Sequence, residues 1–169
     1  MSTTMSNSIV QFLEQRPDRV RDHTGQSANR RIAEQTSARV ERVLARGRDA
    51  VIHRLAELDR EWDVDRALMV NFAVVGGAAY ATGLLRLGER RWLRPRRKGW
   101  LYFFSAQLGF LLLHGTVGWC PPLPVFRRLG VRTKTEIEAE RQALLEALPA
   151  LNEAAPSHGD RLPRPERSV

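Results

Sequence analysis

The one cysteine of this 169-residue chain, Cys120, and its four histidines at positions 23, 53, 114 and 159 are the side chains best suited to nucleophilic, redox or metal chemistry. A single thiol excludes an intrachain disulfide and any zinc cluster built mainly from cysteine. The histidines are scattered, and the chain holds no HExxH, no glycine-rich phosphate loop and no GxSxG. His114 precedes Cys120 by six residues, about 120° away around a helix, so the two do not form a within-helix catalytic or metal pair. A thiolate needs nearby cations or backbone amides, yet Cys120 is followed by Pro121 and Pro122, which have no amide to give. Arg127 and Arg128 reach it only if the chain folds back. Cys120 is therefore a candidate reactive thiol whose simpler role is packing. No catalytic residue, metal or cofactor is expected, and His114 reads first as a helix-packing side chain.

The elements that would position these residues are marked by charge. Residues 67–126 carry eight charged side chains, all between Arg86 and Lys98, while the other 109 residues hold the remaining 38. Two long uncharged runs result, Ala67 to Leu85 and Gly99 to Cys120. At ~1.5 Å per residue the shorter one is roughly 29 Å long as a helix, close to the ~30 Å of a bilayer's hydrocarbon core. Buried helices of a soluble core fit the same hydropathy, and tryptophan placement distinguishes the two. Trp62, Trp92, Trp100 and Trp119 all flank the runs, as interfacial anchors do. Arg66, Arg86, Lys98 and Arg127 add cations at the same ends that can snorkel toward headgroups. The expected fold is all-α: a two-helix transmembrane hairpin (67–85 and 99–120, within 67–126) joined by the basic loop 86–98.

In an antiparallel hairpin, Asn71 and His114 lie at one depth, ~6 to 9 Å inside the boundary, and are expected to hydrogen-bond. Gln107, Leu111 and His114 line one stripe of the second helix; Asn71, Ala78 and Thr82 line the stripe of the first expected to face it. Asn71, Gln107 and His114 are thus the candidate interhelical polar contacts. A separate stripe, Ala73, Gly77 and Ala81, has small residues every fourth position, which lets a second subunit approach closely as a homodimer or small homo-oligomer.

Outside the hairpin, residues 1–27 show little periodicity beyond Ile9, Val10, Phe12 and Leu13 and read as a disordered tail. Residues 28–66 read as an amphipathic helix with Val40, Leu44, Val51, Leu55, Leu58 and Trp62 on one stripe. Gly47 fills a vacant place in that stripe, costing roughly 1 kcal/mol relative to Ala and marking a site for a break. After the second run, PPLP turns the chain out of the membrane. Thr133 and Glu136 have capping-box spacing, placing a short C-terminal helix at Lys134 to Leu148 within the juxtamembrane segment 127–148. Pro149 is expected to stop it, leaving a disordered tail over 149–169. No secretory signal peptide is recognisable, so the first span is expected to be its own targeting signal.

Sidedness is finely balanced. The loop holds seven basic residues, but Arg54, Arg60, Arg66, Arg127, Arg128, Arg132, Lys134 and Arg141 lie beside the other ends of the runs. Exporting a charged 66-residue segment without a signal favours cytoplasmic termini. Arginines beside Trp92 also fit a soluble nucleic-acid binder, but juxtamembrane arginine beside anionic lipid explains the same residues, so no nucleic-acid partner is expected.

The segment GWCPPLPVFRRLGVRT, with Cys120–Pro121, then Leu129, Gly130 and Val131, then Thr133, following an apolar helix pair and a basic loop, resembles the YgaP-like transmembrane domain family over about Leu58 to Leu148. That resemblance implies a bacterial inner-membrane, multi-pass module of largely unknown function with cytoplasmic termini, homodimeric and in some relatives joined to a rhodanese sulfurtransferase domain. The 66 residues before the hairpin are too few for such a domain, so sulfurtransferase activity is not carried over. The expected role is a non-enzymatic membrane anchor or scaffold, self-associating or holding a cytoplasmic partner through residues 28–66. The alternative is a thiol at the membrane edge, Cys120, accepting sulfur or redox equivalents.

Overall fold

Apolar residues at three- and four-residue steps, and no alternating run long enough for a strand, dictate helices. The computed structural model describes residues 2–85 and 99–154, and over these it is all-α. The helices are α1 (Ser2–Gln15), α2 (Arg19–Asp22), α3 (Gln26–Ala45), α4 (Arg48–Leu58), α5 (Val64–Leu85), α6 (Gly99–Val117), α7 (Leu123–Arg128) and α8 (Lys134–Ala154). Helices α1, α3 and α4 pack around α8 as a head, α5 packs on α6, and the short α2 and α7 lie at the join. The basic loop 86–98 and most of the expected disordered tail, 155–169, lie outside the described residues, as does Trp92.

Three expectations change. Residues 1–27 are not a featureless tail: Ile9 and Leu13 of α1 are buried in the head core, with Phe12 against it. Their one short apolar face is too small to stand out as a periodic signal, and α8 and α3 supply the surface that stabilises it. The segment 28–66 is not one helix. Gly47 (φ 88°) follows α3 in a conformation that costs glycine little, and α4 starts afresh at Arg48. The expected stripe survives the break, with Val40, Val51 and Leu58 buried and Leu44 and Leu55 against them, whereas Trp62 lies beyond it, exposed. Finally, α8 runs through Pro149 to Ala154, because Leu148 and Leu151 still pack on the head core and outweigh the lost backbone bond.

The start of α8 is a full capping box. The Glu136 amide donates to Thr133 Oγ1 (3.2 Å), and Glu136 Oε2 accepts from the Thr133 amide (2.9 Å). The same carboxylate takes a bidentate pair from Arg127, both contacts at 2.7 Å, with neither side chain more than 3% exposed. One turn further on, Glu140 is fully buried and accepts from Arg54 (2.8 Å), Arg132 and Arg39. Burial alone would lift the Glu140 carboxyl, but the facing Arg54 and Arg132 outweigh it and hold it below the usual carboxylate value. Glu61 completes a ring by accepting from Arg132 (2.6 Å) and Arg54 (3.0 Å).

Removing one member leaves the other charges buried and unpaired. Glu140→Ala is expected to destabilise the head by about 3–5 kcal/mol in equilibrium denaturation of the detergent-solubilised protein. Because the folded carboxyl titrates below its ordinary 4.5, its contribution is complete above that pH and fades as pH falls through the lower folded value. The acid-induced loss of stability should be steeper in the parent protein than in Glu140→Ala.

Candidate functional site

Among the described residues, those singled out for function lie at the join and in the hairpin. Asp65 reaches His114 (2.9 Å), Phe72 reaches Gln107, and the Tyr80 ring lies beside that of Phe104 (6.1 Å), so α5 and α6 run antiparallel. The stripe of α6 facing α5 is the expected one, with Gln107 and His114 buried and Leu111 packed between the helices. The facing stripe of α5 is different. Leu68, Phe72, Gly76 and Ala79 face inward, because shape complementarity rather than polar pairing sets the helix rotation. Asn71 is only half-buried, and His114 pairs with Asp65 instead. Asp65 precedes the uncharged run but lies in the first turn of α5, from which it reaches the seam.

The polar contacts inside the seam are few and local. Gln107 Nε2 donates to the Phe72 carbonyl (3.2 Å), while its Oε1 has no hydrogen-bond partner. A Cβ at Gly76 would stand 3.1 Å from that oxygen, so glycine is what lets the amide lie against α5. A carboxylate only accepts, so His114 Nε2 carries a proton toward Asp65 Oδ1. A shallow groove of about 300 Å³ runs beside the seam, lined by Ala73, Gly76, Gly77, Phe104 and Gln107 among others.

Cys120 lies three residues past α6, fully buried against Val64, Leu68 and Leu123. Burial pushes its thiol above the ordinary value, partly offset by the Leu123 amide. The nearby cations are engaged or turned away: Arg127 is held by Glu136, and Arg128 is exposed. This is the environment of an inert packing thiol, and the structure gives the reactive reading nothing to act with. Among the described residues no group of three His, Cys, Asp or Glu is placed to hold a metal ion.

Three of the four tryptophans can be placed. Trp62, before α5, and Trp119, after α6, are partly exposed at one end of the pair, and Trp100 is partly exposed at the other. Arg66 stacks over the Trp62 ring at 4.7 Å. At this end the chain is clamped by contacts that sequence reading missed. Arg19 donates to the Gly115 (2.8 Å) and Thr116 (3.1 Å) carbonyls, satisfying the open C-terminus of α6. Gly118 (φ 86°) admits it, since a Cβ there would stand 2.6 Å from Arg19 Cβ. Asp18 caps α2 and accepts from the Thr133 hydroxyl (2.6 Å).

No known protein-family model, curated protein or solved structure matches this chain.

Two outcomes follow. Gly76→Leu is expected to destabilise the protein by roughly 1–3 kcal/mol through overpacking against Gln107. Gly77→Leu, whose Cβ meets nothing within 4 Å, should change stability by less than about 0.5 kcal/mol, both measured by thermal unfolding in detergent. Cys120 should resist maleimide labelling in the folded protein and react fully once denatured.

Proposed function

We propose that the α5–α6 pair is a transmembrane hairpin that anchors the helical head to a lipid bilayer, making the protein a membrane anchor or scaffold rather than an enzyme. One observation carries this reading: α6 is built inside out. Its two buried side chains, Gln107 and His114, are polar, while Leu101 (63% exposed), Tyr102 (68%) and Leu112 (70%) face outward. A helix of a water-soluble core does the reverse. Among the described residues α6 is the one helix long and apolar enough to cross a membrane, and 6% of its span is buried. Helix α5 carries Asp65 and Arg66 in its first turn and is diluted by Asn71, Gly76, Gly77 and Gly83, yet Met69, Val74 and Tyr80 face outward with it. In this reading α5 crosses beside α6 and uses its small residues to pack closely.

The charged head then lies on the cytoplasmic side of a bacterial inner membrane with both termini, as the YgaP-like resemblance also implies, since carrying its ion network across the bilayer is costly. The exposed Ala73–Gly77–Ala81 stripe offers a second copy a close approach, and the outer faces of α3 and α4 are left for a cytoplasmic partner.

Membrane fractionation tests the central claim. The protein is expected to float with liposomes and to stay with them through alkaline carbonate. Leu108→Arg/Leu112→Arg, each substitution costing about 2.5–3.5 kcal/mol in the bilayer, should abolish carbonate resistance. A parent protein that is monodisperse in plain buffer would overturn the reading.

A further inference from the structure

The chain leaving α6 repeats the inversion of α6 on a smaller scale. Helix α7 buries Leu123 and the guanidinium of Arg127, and it turns Val125 (56% exposed) and, just past its end, Leu129 (75%) outward. Arg127 points inward because Glu136 and Asn29 hold it there. Val117 and Trp119 at the end of α6 are exposed as well, so apolar side chains face out on both sides of the turn that joins α6 to α7. Four arginines lie on the segments that meet at this end of the molecule. Arg66 lies on Trp62, Arg19 is pinned to the end of α6, and Arg31 donates to the Arg128 carbonyl (3.2 Å) beside Arg128 itself. All four arginines are exposed, and each keeps guanidinium donors beyond the contacts named here.

Exposed apolar side chains beside arginines, at the end of a helix pair read as membrane-spanning, fit the boundary where acyl chains meet acidic headgroups. We propose that α7 is an interfacial helix and that Arg19, Arg31, Arg66 and Arg128 form a collar that binds the phosphate groups of acidic phospholipids. The inference rests on the membrane reading above and adds the class of lipid and the residues that select it. Water-facing proteins solvate such arginines and bury such valines and leucines; here the cations have a reason to gather round exposed apolar surface. Arg66 is suited to the task, because stacking on Trp62 fixes its plane while leaving its edge free to donate to phosphate.

The test uses the full chain carrying Trp92→Phe and Trp100→Phe, which leaves Trp62 and Trp119 as reporters at the collar. It is reconstituted in phosphatidylcholine vesicles doped with acyl-brominated phosphatidylglycerol or with acyl-brominated phosphatidylcholine. At low salt, quenching by the acidic lipid should reach its midpoint at a mole fraction about five-fold lower per engaged cation. Arg66→Gln/Arg128→Gln should bring the two lipids toward parity, Arg66→Lys/Arg128→Lys should keep most of the preference, and all three proteins should float equally. Equal quenching by both lipids in the reporter protein, or a preference untouched by the double Gln variant, overturns the collar while leaving the anchor standing. Failure to float with either vesicle overturns the anchor, and the collar with it.

Discussion

A carboxylate removed from water is tolerated only where partners replace its hydration, and Glu140, wholly buried on α8, meets that condition with guanidinium groups from three separate segments. Arg39 comes from α3, Arg54 from α4 and Arg132 from the link between α7 and α8. Helix α8 is thereby fixed to every other part of the head except α1, which it holds by apolar contact. Arg132 also carries the constraint downward. Its side chain binds Glu61 and Glu140, and its carbonyl accepts the Val64 amide (2.8 Å) at the start of α5. The place where the hairpin begins is thus set by the same residue that closes the buried ion network. Such a network need not add net stability over an apolar core; its use is directional, since charges fix register where apolar side chains would allow sliding.

The head and α6 differ in what they bury. In the head, Ile9, Val40, Val51 and Leu144 go inside and most arginines stay at the surface. In α6 the buried side chains are a glutamine and a histidine, while Leu101, Tyr102 and Leu112 face out. The contrast is sharpest at the join, where Arg127 and Val125, two residues apart on α7, have exchanged the positions that a soluble helix would give them.

Much of this was legible in the residues. The uncharged runs marked α5 and α6, the break at Gly47 was foreseen, and Thr133 with Glu136 named the start of α8. The inward stripe of α6 followed from helical spacing alone, because Gln107, Leu111 and His114 share an angle. The inward stripe of α5 did not: Leu68, Phe72 and Ala79 are as apolar as its outward residues, so periodicity carries no signal when both faces are oily. The ion network was hidden for another reason. Arg54, Glu61, Arg132 and Glu140 are ordinary surface types, and only long-range packing removes them from water. Helix α1 was missed because its apolar face spans barely two turns and draws its stability from α8, more than a hundred residues away.

That separation bears on how the structure is reached. The N-terminal segment is held by Asp18 to Thr133, Arg19 to Gly115 and Arg21 to Glu136, all pairings across the whole hairpin. Asp18, Arg19 and Arg21 have these partners only once α6 and the segment after it are made, whereas α1 also packs on the neighbouring α3. Closing so long a loop costs entropy, and each contact is accordingly charge-assisted or buried. Arg19 ties the two events together most directly. The last carbonyls of α6 lack intrahelical donors, and the guanidinium that satisfies two of them, that of Arg19, belongs to the earliest part of the chain. The head therefore closes on the hairpin through the groups that α6 leaves unsatisfied, and the docking of α2 and the termination of α6 are one event.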